Sequence, residues 1–226
     1  MRQQNRMGQL WGWGLGLLWA VCGGALWAGE AFSEMVRRAE HLYGPLGEGR
    51  QRLEDWQRLL GGQQGKHEAA QLEAVNRFFN RHLRFVDDRE LWGVVDYWAT
   101  PVQSLWRGAG DCEDFALAKY ISLRYLGIAG EKLRITYVKA LEQDQAHMVL
   151  TYYPGPGATP LVLDNLNEAI LPASRRRDLL PVYAFNGSGL WYADHGEGRV
   201  GDSQRLSRWQ DVLGKMHAEG FPGKLR

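Results

Sequence analysis

Residues 107–116 read RGAGDCEDFA, a cysteine flanked by three carboxylates immediately after a glycine turn. Gly108 and Gly110 loosen the backbone, and from Cys112 onward the pattern becomes that of an apolar helix. The thiolate is the reactive form of cysteine, and a helix N-terminus favours it through unpaired N–H groups and the macrodipole. A flexible turn leading onto a rigid helix is therefore a sound mount for a nucleophile. Asp111, Glu113 and Asp114 act in the opposite direction, because neighbouring carboxylates raise a thiol pKa. Two accounts of these acids stand side by side. They are ordinary first-turn residues that complement the helix dipole, or they are hard oxygen ligands for Ca²⁺, although without EF-hand spacing.

A nucleophilic cysteine needs a base. Of six histidines, His147 is the one in a strand pattern, AHMVLTYY, while His41, His67, His82, His195 and His217 fall in helical or loop stretches. A second strand pattern ends at Asp164, and the Pro154-Gly155-Pro156-Gly157 turn lies midway between the two residues. A symmetric hairpin about that turn would set His147 directly opposite Asp164, with Cβ atoms roughly 4.5–5.5 Å apart. A carboxylate that orients a histidine, which in turn deprotonates a cysteine, is triad logic. The alternative is an inert buried thiol, since free cysteine packs as a small hydrophobe.

These residues need elements to hold them. Helical spacing runs from Glu30 to about Leu83, with Leu53, Trp56, Leu59 and Leu60 on one stretch and Leu72, Val75, Phe79 and Leu83 on the next, broken over residues 61–65. Residues 84–108 read as loops with a short helix. The helix from Cys112 to about Leu126 is apolar nearly all round, which predicts a central, buried position, and Gly127 ends it. Strand patterns follow over 133–141, 146–153, 160–164 and 189–193, and an amphipathic helix over 203–218 closes the chain. Helices first and an antiparallel sheet after them predict an α+β domain.

The 226 residues fit one such domain, and 27 basic against 26 acidic side chains give no electrostatic case for a nucleic-acid partner. Ten tryptophans suggest either a groove or a heavily aromatic core. At the N-terminus, Arg2 and Arg6 precede an apolar run over residues 10–21, and small residues follow up to Ala28. This is the layout of an export signal over residues 1–28 ahead of a domain at 30–226. An uncleaved anchor is the alternative, and lipoprotein processing at Cys22 a weaker one. Cleavage after Ala28 would remove Cys22 and leave Cys112 as a lone thiol, so the chain is not a disulfide scaffold.

The block GDCEDFALAKYISLRYLGI (residues 110–128), the AHMVLTYY strand and the LVLDNL segment resemble, in order and spacing, the bacterial transglutaminase-like cysteine proteinases, and within them the LapG-type periplasmic proteases. The resemblance implies a papain/transglutaminase-like fold, with Cys112 as nucleophile, His147 as general base and acid, and Asp164 as the orienting carboxylate. It implies calcium dependence, with Asp111 and Glu113 as ligands and Asp114 as a weaker addition. It also implies a periplasmic endopeptidase that cuts the N-terminal region of a large surface adhesin and is sequestered by a LapD-like inner-membrane receptor for cyclic di-GMP. Two other functions are compatible with the residues: transglutaminase or amidase chemistry on the same fold, and a non-enzymatic calcium-binding module.

Overall fold

The computed structural model describes residues 16–192, 199–203 and 206–221, with side chains from residue 29 onward. Of the expected export segment, residues 1–15 lie outside the described residues and 16–28 are described as backbone alone. No helix among the described residues is long and apolar enough to cross a membrane.

Three helices form the N-terminal lobe: α1 (Gly16–Tyr43), α2 (Glu48–Gln63) and α3 (Glu68–His82). Leu53, Trp56 and Leu60 of α2 and Leu72, Val75 and Phe79 of α3 point into one core, as their spacing predicts. Gly61 and Gly62 do not break α2, which runs on to Gln63; the left-handed residue that turns the chain is Gly65. The helix α6 (Cys112–Tyr125) sits at the centre of the molecule, packed against α3 on one side and strand β4 on the other. Its residues 113–123 are buried all round, which accounts for its apolar circumference.

The sheet has six strands in the order β6-β5-β4-β3-β7-β8, every pairing antiparallel. Strands β3 (Leu133–Ala140), β4 (Gln145–Tyr152), β5 (Leu161–Leu163) and β8 (Leu190–Tyr192) correspond to the four strand patterns in the sequence. Two more were not legible there, β6 (Leu171–Pro172) and β7 (Leu179–Phe185). The larger miss is β7, which lies beside the central β3. It carries Pro181, a residue that argues against a central strand, but the ladder shifts register between Tyr137 and Val138, and a bulge is one place where a strand tolerates proline. The last helix, α7 (Ser207–Ala218), buries Trp209, Val212 and Met216. Trp56 and Trp209 are fully buried, so much of the tryptophan content is core packing.

Residues 84–110 are more ordered than their composition suggests. After β1 (Arg84–Phe85) come the short α4 (Asp88–Leu91) and α5 (Pro101–Arg107), then β2 (Ala109–Gly110), which pairs in parallel with β1. A Thr100/Gln103 capping box with Pro101 in the first turn starts α5. Gly108, in the left-handed region at φ 64°, ends it. The β1–β2 ladder fastens the chain entering α6 to the end of α3.

Candidate active site

Cys112 begins α6, two residues after the end of β2, so its position is fixed by a strand pairing on one side and a buried helix on the other. Its thiol donates to Glu113 Oε2 at 3.1 Å, and the backbone N–H of Met148 on β4 points at the sulfur. The sulfur therefore lies against the residue next to His147. Burial, then the charge and hydrogen bond of Glu113 and the charge of Asp111, push the Cys112 thiol well above its usual range.

His147 and Asp164 are both buried, and His147 Nε2 lies 2.8 Å from Asp164 Oδ1. They are not directly opposed, as a symmetric hairpin would have them. Leu150 pairs with Leu163 and Tyr152 with Leu161, so the turn is longer and the register is displaced by two residues. A two-residue shift keeps every side chain on its face, whereas a single one would have parted the pair. Asp164 now lies diagonally from His147, within a span of roughly 7–8 Å that side chains bridge.

Asp164 is held on every side. Its Oδ1 also accepts the Leu166 N–H at 3.0 Å, its Oδ2 accepts Arg176 Nη2 at 2.6 Å, and its backbone carbonyl accepts Asn80 Nδ2 of α3 at 2.8 Å. Burial works against its charge, but the hydrogen bond and charge of His147 with the Leu166 and Arg176 bonds prevail, bringing its pKa down to about 2. An ionised Asp164 accepts only. The Nε2 of neutral His147 must then carry the proton, which leaves the Nδ1 lone pair as the basic site of the ring.

The acids around Cys112 form part of a larger group. Asp88, Asp111 and Asp114 place carboxylate oxygens within 4.8 Å of one another, and so do Asp88, Asp96 and Glu113. Asp88 belongs to both sets. Neither Asp88 nor Asp96 was identified from sequence: the signal is tertiary, because α4 and the loop to Tyr97 fold back over β2. Asp88 Oδ2 accepts the Tyr97 N–H, and Asp114 Oδ1 accepts the Ala99 N–H at 2.7 Å, so these carboxylates also fasten that loop. Asp111, the residue before the helix, makes no side-chain capping bond to the α6 backbone.

This cluster suits a calcium ion. Among the described residues Asp88 Oδ1, Asp111 Oδ1 and Asp114 Oδ2 are buried with no hydrogen-bond partner, and Asp88 and Asp114 are 1% and 0% exposed. Burial, with neighbouring carboxylates adding to it, raises Asp111 and Asp114 far above the usual acid range. Burial likewise raises Asp88 to about 6, against the Tyr97 N–H bond. Uncompensated carboxylates at this depth are costly without a cation. Oxygens within 4.8 Å of one another can share one ion at roughly 2.3–2.6 Å each. Gly110 makes room for the arrangement: a Cβ there would meet Asp114 Oδ2 at 2.5 Å.

A helix-mounted cysteine, packed against an antiparallel sheet that carries a buried histidine–carboxylate pair, is an arrangement of transglutaminase-like architecture. The chain belongs to the bacterial transglutaminase-like cysteine proteinases, whose family model matches residues 56–177. Among solved structures it is similar to LapG of Legionella pneumophila, at 41% identity and a TM-score of 0.70 over 80% of this chain and 97% of that one. The EGTA-treated LapG matches at 41% identity and a TM-score of 0.71, covering 80% and 97%. The calcium-bound form matches at 40% identity and 0.70, covering 82% and 98%. No curated protein shows significant similarity to the chain.

Proposed function

We propose that this protein is a calcium-dependent periplasmic cysteine endopeptidase that cleaves the N-terminal region of a large cell-surface adhesin. The observation that carries the catalytic part is the His147–Asp164 pair, 2.8 Å apart and buried, on the strand whose next N–H contacts the Cys112 sulfur. In this reading His147 Nδ1 takes the Cys112 proton and the thiolate attacks the scissile carbonyl. The oxyanion forms at the N-terminus of α6, where the Cys112 backbone N–H is available. The imidazolium protonates the leaving amine, and water activated by His147 then hydrolyses the thioester. Asp164 keeps the ring in the tautomer each step needs.

Asp88, Asp111, Glu113 and Asp114, with Asp96 at the rim, would hold the calcium. When bound, the ion supplies the positive charge that removes the negative field of these acids from Cys112. Support for calcium comes from the partnerless buried oxygens and from the similarity to a LapG solved in calcium-bound form. The adhesin, an Ala-Ala cleavage site, the LapD-like cyclic-di-GMP receptor and export by residues 1–28 are expectations from the family resemblance.

Incubating the purified protein with an adhesin N-terminal fragment tests this reading. Cleavage is expected with calcium and is lost with EGTA and in Cys112→Ala. Cleavage by Cys112→Ala would end the proposal. Mass spectrometry separates hydrolysis, which adds water, from amine transfer. Cleavage that survives EGTA would reduce the acidic cluster to a loop fastening.

A further inference from the structure

Arg176 follows a short 3₁₀ turn (Ala173–Arg175) after β6 and is 5% exposed. The backbone holds it from both sides: its N–H reaches Ala173 O at 3.0 Å, and the Leu179 N–H reaches its carbonyl at 3.2 Å. The guanidinium divides its donors between two carboxylates. Nη2 meets Asp164 Oδ2 at 2.6 Å and Asp178 Oδ2 at 2.8 Å, while Nε meets Asp178 Oδ1 at 3.0 Å. Asp178, one-third exposed, is anchored in turn by the Leu141 N–H on its carbonyl at 2.8 Å. A chain of charged hydrogen bonds therefore runs from His147 through Asp164 and Arg176 to the surface.

A carboxylate on its own can rotate and exchange its two oxygens. With Oδ2 of Asp164 clamped by Arg176, Oδ1 is left for His147 Nε2, and the plane of the carboxylate fixes the plane of the ring. The guanidinium also keeps Asp164 from taking up a proton. We propose that Arg176 is a positioning residue of this site, one that clamps Asp164 Oδ2 and so holds His147 with Nδ1 turned to the Cys112 sulfur. The proposal rests on the cysteine-nucleophile reading above and adds a fourth residue to it. Lysine would not replace arginine here, because a point donor cannot serve two carboxylates along a planar fork.

Removing the guanidinium has a signature that simple destabilisation lacks: a small guanidinium ion can refill the vacated space and restore the clamp. The experiment follows iodoacetamide labelling of Cys112 at a single neutral pH, in excess calcium, for the full chain and for Arg176→Ala and Arg176→Lys. Arg176→Ala is expected to react roughly 10–100-fold more slowly. Guanidinium chloride at about 20–50 mM should restore at least several-fold of the rate, and sodium chloride at the same concentration should not. Arg176→Lys should lose roughly tenfold in rate and gain nothing from guanidinium. An Arg176→Ala rate that equals wild type, or that guanidinium leaves unchanged, overturns the proposal. If Arg176→Ala does not fold, the lysine variant decides: a rate equal to wild type overturns it, and a slowed rate supports it. The assay needs no substrate, so the two readings fail separately. Wild-type Cys112 that labels like a free thiol sinks the nucleophile, whereas a fast wild-type rate with an unaltered Arg176→Ala sinks only the clamp.

Discussion

Replacing Asp88 with asparagine should move stability in opposite directions with and without calcium. Asp88 is 1% exposed, and its carboxylate lies within 4.8 Å of those of Asp111 and Asp114. At that distance two like charges repel by roughly 3.5 kcal/mol for an effective dielectric of 20. Protonation limits how much of this the fold must bear, and the limit follows from the shift of Asp88 from 3.8 to about 6. A carboxylate raised in this way contributes stability below pH 4 that is lost as pH rises through 6. By pH 7 the loss is about 3 kcal/mol. The Asp88→Asn change removes that cost but gives the Tyr97 N–H a neutral acceptor, a loss of about 1 kcal/mol. The net gain is about 2 kcal/mol in EGTA, or roughly 4–8 °C in melting temperature for a domain of this size. In calcium the variant lacks a charged ligand, and affinity should fall roughly 10–100-fold. Thermal unfolding at pH 7 in EGTA and in excess calcium, with calorimetric calcium titration, measures both effects. An unchanged affinity together with a lower melting temperature in EGTA would refute the reasoning and leave Asp88 as a loop anchor.

Three further outcomes follow from the same structure. Gly110→Ala drives a Cβ against Asp114, so calcium affinity and peptidase activity should fall together by roughly tenfold or more, read by calorimetry and cleavage. Glu219, which accepts Thr100 Oγ1 at 2.5 Å and the Tyr43 hydroxyl at 2.7 Å, is raised by burial from 4.5 to about 7. Its contribution is complete below pH 4.5 and lost through pH 7. Glu219→Gln should therefore flatten stability over that window by about 3 kcal/mol in denaturant titrations, and an unchanged slope would clear Glu219 as the cause. Lys119 is fully buried, its Nζ has no hydrogen-bond partner among the described residues, and burial lowers it to about 7. Lys119→Met should raise the melting temperature, with a gain that grows as pH falls from 10.5 to about 7 and levels off below that. A destabilised variant would show that the ammonium is a needed neighbour of Asp164.

How far the sequence carried the site depends on how local each signal is. Cys112 and its flanking acids are contiguous, and the α6 periodicity and the Gly108–Gly110 turn announce their mount. The His147–Asp164 contact was legible through pattern alternation, which is insensitive to the two-residue error in register. Asp88, Asp96 and Arg176 were not legible, because each reaches the site through a fold-back with no periodic signature. The same holds for the β1–β2 ladder: two residues pairing with two others leave no alternation to read. Strand β7 was hidden by Pro181, whose cost is absorbed by a bulge that only the partner strand reveals.

The hydrogen bond from Cys112 to Glu113 bears on how long the protein survives unused. The thiolate attacks peroxides and disulfides, and oxidation beyond the sulfenic stage is in most cases irreversible. A sulfur whose proton is kept by burial and held on a neighbouring carboxylate reacts slowly with either. With Cys22 removed there would be no second thiol in the chain to rescue an oxidised Cys112. The acidic surroundings thus act as a chemical preservative for the resting molecule, and in the proposed reaction the same neutralisation that would ready the sulfur for attack on a peptide would also open it to oxidative loss. Shelf life and reactivity are set by one carboxylate cluster.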